Sequence, residues 1–505
     1  MSDADLPAIH TNSNADLLHY DVVVIGAGIH GASMASEAAS RGLETLVVQG
    51  GYLGGASSCV PSDIVGIGLN ELENLQLAEV FSNRTELQLM HKKAPHLVRP
   101  KLARMLKNSE VRSSRRINFG SSIYNALQPS KANTKQDNAL QGSFNADAFE
   151  GPAIQEYSIN YTRIVIALLQ QLENQNGKIL ARHRLKQAQR QDKRWLLTLQ
   201  DADTNENRHC TCNVLINCTG SLANNVLKDV LGLHSRTAAQ SLYSAQLYVK
   251  LPQHWQHVAV LQRPNRSLVY AQNFDHQHLC LGPILADNGD EDSKQAAIEE
   301  VLSIWNQQST TTLSNDDIVF CCWSTHPLVE DPSTEKLDAT NTSLLDLNNP
   351  GNAAPLLSLF GNSLVRYHKL AEQGLDILQP FTRTPRNKAF RNRPLPGGEF
   401  GDQGTLHTLK QLEERYDFLH KEVVERLFYT YGVNALEILK NAHDKSAMGT
   451  DFGHGLYQCE VDYLIENEWV QNADDILWRR TYLGLGFSTK SRKDLELYIE
   501  KQLAS

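Results

Sequence analysis

At 505 residues, with 41% hydrophobic and 21% charged side chains, the chain can build several domains around a sizeable core without disulfides or a structural metal. Its formal net charge of −9 argues against general nucleic-acid binding, leaving room only for a local basic patch. Eight cysteines, at 59, 210, 212, 218, 280, 321, 322 and 459, form no CxxC pair, and the N-terminus carries no secretory leader, so a reducing cytoplasm is expected. The CxC at 210–212 and the adjacent 321–322 pair, on opposite faces of one strand, do not bring four ligands together, and no metal site is expected. No stretch approaches the roughly eighteen apolar residues that a membrane span needs.

In chain order, residues 1–17 read as a loose polar tail. An apolar strand from Val22 to Ile25 then runs into Gly26, Gly28 and Gly31 with GxGxxG spacing, the dinucleotide-binding fingerprint. These glycines permit a tight turn, a bare backbone against a pyrophosphate and close packing of the helix that follows. His30, inside the fingerprint, reads as a surface side chain. A second strand, Glu44 to Val48, ends at Gln49, where an acidic residue would accept the ribose hydroxyls. Residues 99–116, RPKLARMLKNSEVRSSRR, place seven basic side chains beside Leu102, Met105 and Leu106 at helical spacing and predict a basic amphipathic helix, solvated or docked on anionic lipid. The polar segment 117–148 reads as a long loop.

A helical pattern from Ile164 to Leu172 leads into the strands KILARHRL and RWLLTLQDA, then a strand from Val214 to Ile216 that ends in the turn Asn217 to Gly220. Alternating short strands over 241–285 predict an antiparallel sheet outside the nucleotide fold. A further strand, turn at Gly361 and amphipathic helix occupy 355–378. After PLPGG at 394–398 the pattern is helical, with Tyr463, Trp469 and Trp478 expected as core packing.

The opening YDVVVIGAGIHGASMASEAASRGL, KAPHLVRP at 93–100, NDDIVFCCWSTHPLVEDPS, APLLSLFGNSLVRYHKLAE, PLPGG and DFGHGLYQCEVDYLIENEWVQNADDILWRRTYLGL together resemble the FAD-dependent, quinone-linked glycerol-3-phosphate dehydrogenases over nearly the whole chain. The resemblance implies an α/β, doubly wound FAD-binding fold of the two-dinucleotide-binding-domain type, with an antiparallel β substrate domain and a C-terminal α-helical domain. It places the FAD-binding domain at 18–75, 150–240 and 350–385, a helical and loop insertion at 76–149, the substrate domain at 241–349 and the helical domain at 390–505. The implied FAD contacts are Gly26, Gly28, Gly31, Gln49, Ser57, Ser58, Thr219, Gly220, Gly361, Asn362, Ser363 and Leu364. Pro283, within the GPIL at 282–285 that replaces the family's Gly-Thr-Thr-Asp beside the flavin, has no N–H to offer there.

The family oxidises sn-glycerol 3-phosphate to dihydroxyacetone phosphate and passes electrons to a membrane quinone. Its pocket cations, carried over residue by residue, fall on other residue types here. Two arginines become Asn70 and His326, and a third becomes Asn341. The lysine becomes Ser363, a tyrosine becomes Glu71, and histidines fall on Gly66 and at or beside Leu247. His326 is the catalytic candidate, since imidazole can take a proton near neutral pH. Three readings follow from the replacements: a diverged FAD protein of this family with its phosphate pocket altered, a non-catalytic subunit pairing with an active paralogue, or a flavin oxidoreductase for a neutral or cationic substrate. A homodimer or paralogue partnership, a quinone acceptor and a cytoplasmic location, peripheral at the inner membrane through 99–116, are implied alongside; no nucleic acid is.

Overall fold

The computed structural model describes residues 17–55, 63–65, 77–126, 144, 148–233, 239–251, 258–275, 277–329, 343–361, 363–384 and 389–504. In chain order its strands include β1 (Leu18–Ile25), β2 (Thr45–Gln49), β3 (Asp63–Val65), β4 (Val98–Leu106), β5 (Phe149–Ile159), β6 (Lys178–Ala181), β7 (His183–Gln191), β8 (Arg194–Asp201) and β9 (Asn207–Asn217). They continue with β10 (Ala239–Lys250), β11 (Val258–Gln262), β12 (Leu268–Asn273), β13 (His278–Ala286), β14 (Ile318–Val329), β15 (Ser343–Asn348) and β16 (Leu356–Gly361). The helices that matter for the site are α1 (Ile29–Ser40), α2 (Leu77–Lys93), α3 (Ser114–Ala126), α4 (Tyr161–Glu173), α5 (Glu291–Gln308), α6 (Tyr367–Thr382), α7 (Gly404–Arg415), α8 (Lys421–Tyr431), α9 (Gln458–Asn467) and α10 (Ala473–Arg479).

Strand β1 shows why the first sheet forms. Val22 and Val24 enter one apolar cluster with α1, α4 and α6, while Val23 and Ile25 enter another on the opposite face. A strand buried on both faces reads as a continuous apolar run and suits the interior of a parallel sheet. β1 accordingly pairs in parallel with β2 on one side and β9 on the other, and the sheet runs β15-β16-β9-β1-β2-β6, with β7 and β8 continuing from β9. The late strand expected from Val214 to Ile216 is longer, and its end delivers Asn217 to Gly220 beside the first glycine turn.

The second sheet runs β14-β10-β13-β12-β11-β4-β5-β3. The antiparallel strands expected over 241–285 are its centre. Segments placed elsewhere by resemblance join them: β4, from the stretch expected as a helical and loop insertion, and β3 and β5, from stretches assigned to the FAD domain. One face of β10 sends Ala245, Leu247 and Val249 into an apolar cluster sealed by Trp305 of α5. Ser244, Gln246 and Tyr248 alternate onto the other face, opposite Ser324, Cys322 and Phe320 of β14. The helical C-terminal region encloses its own core, including Tyr463, and carries one short hairpin.

Two expectations are corrected here. The basic helix over 99–116 does not form: Val98–Leu106 is a strand paired with β5 and β11, and helix α3 begins at Ser114 and occupies part of the expected loop. Ala103, Met105 and Leu106 are buried, so sheet pairing overrides the helical spacing. The seven cations do not share one helical face, and Arg112 is itself buried, donating to Gln262 Oε1 (3.3 Å) and to the Arg266 carbonyl (2.9 Å). Among the described residues no helix is long and apolar enough to cross a membrane.

Candidate active site

The GxGxxG turn is built as its spacing demands. Gly26 has φ +97°, and a Cβ there would stand 2.5 Å from the Cys218 carbonyl oxygen, while one at Gly31 would stand 1.7 Å from the Gly26 oxygen. Neither position admits a side chain. Helix α1 therefore starts against the ends of β1 and β9, and its free N–H groups open on a cleft of about 740 Å³. Gly26, Gly28, Gln49, Thr219, Gly220, Gly361 and Leu364 line that cleft together. Gly31 lies one turn into the helix, and buried Ser363 sits behind the wall, its hydroxyl without a hydrogen-bond partner among the described residues. Ser57, Ser58, Asn362, Gly66, Asn70, Glu71 and Asn341 lie outside the described residues.

Gln49 has a definite role. Its Oε1 accepts the Ala27 N–H at 2.8 Å, tying the end of β2 to the glycine loop. A glutamate could keep that bond with a charged oxygen and present its second oxygen to a ribose hydroxyl. Gln49→Glu is expected to tighten FAD about tenfold, read by quenching of flavin fluorescence on titration.

His30 departs from its expected surface position. It lines the cleft, and its Nε2 lies 3.3 Å from the Ser363 carbonyl, linking the first turn to the last return of the chain. A carbonyl only accepts, so Nε2 carries the proton and Nδ1 is left as an acceptor. Burial, partly opposed by that bond, holds the imidazole down to about 4. Two further histidines are buried in the neutral form, His96 and His368, each pushed down to about 3 by burial and then by nearby cations. Because these folded values lie below the ordinary 6.5, the unfolded chain binds more protons in between. The stability they contribute is complete above that value and is lost as pH falls towards 3.

From pH 7 to pH 5, His96 and His368 are each expected to cost about 2 kcal/mol. Glu37 and Glu86, raised chiefly by burial, take up protons in the folded state and offset part of this. Denaturant unfolding at the two pH values should show the loss, and His368→Phe should flatten it.

His326, on β14, is buried. Its Nε2 lies 2.8 Å from Ser324 Oγ and 2.9 Å from Ser244 Oγ, and the two hydroxyls are 3.2 Å apart. Ser324 also lines a second cavity, of about 470 Å³, which shares Gly55, Ser221 and Leu222 with the first. Aromatic rings form its walls. Phe320 stacks on Trp478 at 4.5 Å, Tyr248 meets Phe274 edge-on at 5.0 Å, and Tyr482 hydrogen-bonds Thr162. Trp478, expected as core, packs against the helical core and also faces this chamber. The Tyr248 hydroxyl is buried beside Cys280, and burial pushes the phenol well above its ordinary pKa. Among the described lining residues the single cation is Arg479, already bonded to Asp475 at 2.6 Å and lying over Tyr52. Leu247 points away into the apolar core, whereas its neighbour Gln246 shares the His326 face, its Oε1 3.2 Å from Cys280 Sγ.

Sequence reasoning missed this chamber because its walls come from β10, the β12–β13 turn, β14 and α10, and no local pattern joins them. It also missed Arg184, at the start of β7, which reaches the first cleft beside Gly50.

A glycine-turn cleft at the carboxyl ends of a parallel sheet, beside a second, largely antiparallel sheet, is the dinucleotide site of a two-sheet oxidoreductase fold. The chain belongs to the FAD dependent oxidoreductase family, whose sequence pattern matches residues 21–332, and residues 390–497 match the C-terminal domain of alpha-glycerophosphate oxidase. It is 30% identical over 480 residues to the aerobic glycerol-3-phosphate dehydrogenase of Escherichia coli K12, covering 92% of this chain and 94% of that protein. It is 29% identical over 500 residues to the glycerol-3-phosphate dehydrogenase of Pseudomonas aeruginosa, covering 98% and 97%. Among solved structures it is similar to the FAD complex of glycerol-3-phosphate dehydrogenase from Bacillus halodurans, with a TM-score of 0.70, 15% identity and coverage of 96% and 94%. FAD is the cofactor, and the cleft fits it: side-chain-free turns at Gly26 and Gly31, an open helix N-terminus and the Gln49 acceptor.

Proposed function

We propose that this chain is an FAD-dependent dehydrogenase on the glycerol-3-phosphate dehydrogenase scaffold whose pocket takes a neutral or cationic substrate in place of a phosphate dianion. The observation that carries this reading is the aromatic chamber beside the cofactor cleft, whose one described cation is already neutralised by Asp475. Rings exclude water and attract a cation through their faces, but they give a dianion no charge partner. Ser363 and His326, where the resembled family carries lysine and arginine, are consistent with it.

Gly26, Gly28, Gln49, Thr219, Gly220, Gly361 and Leu364 would hold FAD, with Ser363 supporting the last turn, and bound FAD supplies an acceptor for hydride. The chain's part is orientation and proton acceptance. Ser324 Oγ, on the chamber wall, can take a proton from a substrate hydroxyl or ammonium while passing its own to His326 Nε2. Ser244 Oγ then holds the imidazole in register.

The test is anaerobic mixing of FAD-loaded protein with glycerol 3-phosphate, glycerol and 3-amino-1,2-propanediol, followed by flavin absorbance. Bleaching by either uncharged or ammonium-bearing polyol, lost in His326→Ala, supports the reading. Bleaching by glycerol 3-phosphate in preference to both overturns it.

A further inference from the structure

The cavities run in series. The aromatic chamber shares Phe274, Tyr482 and Leu485 with a third cavity of about 630 Å³, which lies between β4, the β12–β13 hairpin and α8. Of the three cations that line it, Arg426 is paired with Glu460 at 2.6 Å, whereas Arg99 and Lys101 have no carboxylate at ion-pair distance among the described residues. As residues i and i+2 of β4 they point to the same side of the strand. Both are partly buried. The Arg99 guanidinium lies over the Tyr429 ring at 4.4 Å from its centroid, which fixes its plane. Glu425 is within electrostatic range of it without reaching ion-pair distance, and its carboxylate lies 3.7 Å from Lys421. Lys101 makes neither an ion pair nor a hydrogen bond with any described residue; burial, and then Arg99, hold it down to about 8.

Other buried and half-buried guanidiniums, Arg426 of this same cavity included, are treated differently. Arg41 meets Glu37 at 2.8 Å, Arg426 meets Glu460 at 2.6 Å, and Arg163 and Arg480 share Glu468. Two adjacent like charges, partly desolvated and without a carboxylate between them, carry a cost that a bound anion removes. In a chain with net charge −9 acidic partners are not scarce.

We propose that Arg99 and Lys101 form a binding site for a small dianion of the phosphate or phosphomonoester class, at the seam between the second sheet and the C-terminal helices. Two charges match a dianion. The guanidinium fork, held flat by Tyr429, offers paired N–H donors, and the ammonium adds a point charge. Asp275, Glu422 and Glu425 on the facing walls repel an extended polyanion or a lipid surface and leave room for a compact ion beside β4. The site lies beyond the aromatic chamber and does not depend on the substrate reading. Because β4 and Tyr429 of α8 both border it, an occupant ties the sheet to the helical region.

The test titrates the FAD-loaded full chain with inorganic phosphate and, separately, with glycerol 3-phosphate, each against chloride at matched ionic strength, by calorimetry and thermal unfolding. Saturable binding with a raised unfolding temperature is expected, at least about tenfold weaker in Lys101→Met and absent in Arg99→Gln, with the flavin spectrum unchanged. Should Arg99→Gln fail to fold, Lys101→Met at a partly exposed position decides. Preference for one ligand identifies the source as free phosphate or a phosphomonoester. Equal titration of the unmodified chain and Lys101→Met, or no response beyond chloride, overturns the assignment.

Discussion

Glycerol 3-phosphate at millimolar concentration is expected to leave the flavin of this chain oxidised over minutes of anaerobic incubation. Each charge-assisted hydrogen bond to a phosphate or a developing charge contributes about 1.5–3 kcal/mol, so on the proposed reading, with four such partners replaced, on the order of 6–12 kcal/mol would be lost. At about 1.4 kcal/mol per decade this is at least about four powers of ten in transition-state binding. The structure adds that the cation and the imidazole described at the chamber are already engaged. Arg479 is committed to Asp475 and Asn472, and His326 to two serine hydroxyls. Restoring His326→Arg and Ser363→Lys together with Asn70→Arg and Asn341→Arg should bring back perturbation of the flavin spectrum by glycerol 3-phosphate before it brings back reduction, because no histidine stands at Gln246 or Leu247 to accept the proton. Rapid bleaching of the unmodified protein would show that recognition of the phosphate comes from residues other than these.

What could be read from the sequence was what is local. The glycine turn, the strands flanking it and the return at Gly361 depend on neighbours a few residues apart, and each stands where its spacing placed it. The second sheet was legible only at its centre, because β4 finds β5 and β11 across long separations, and its Arg, Lys and Leu spacing fits a helix equally well. The same limit applies to chemistry. His326 was visible as an unusual residue at a known place, but the two serines that hold its Nε2 come from positions 324 and 244 on paired strands. Arg99 and Lys101 read as surface charge until Tyr429, more than three hundred residues away, is seen packed over the guanidinium.

The strongest effect on stability is expected at Glu468. Its carboxylate is fully buried and takes both Nη groups of Arg163, at 2.5 and 2.6 Å, with Arg480 Nε a further 3.5 Å away. Burial pulls the Arg163 pKa down, but the Glu468 carboxylate outweighs it and leaves the guanidinium above its ordinary value. Arg163 comes from α4, against the first sheet, whereas Glu468 and Arg480 flank α10, so one carboxylate joins the nucleotide fold to the helical region. Arg480 extends the joint by donating to the Leu53 carbonyl at 3.0 Å, at the loop that borders the cofactor cleft and the aromatic chamber. Glu468→Gln leaves two buried guanidiniums with no counter-charge and should destabilise the protein by about 3–5 kcal/mol, seen as a shift of denaturant unfolding to lower concentration. FAD affinity should fall with it, because the Leu53 loop loses its anchor. Arg163→Met should also destabilise, but adding it to Glu468→Gln should cost much less than the sum, since one of the stranded charges is then gone. Additive losses in that cycle, or a Glu468→Gln protein as stable as the unmodified chain, would mean that water or rearranged neighbours satisfy the guanidiniums and that the joint is held by packing alone.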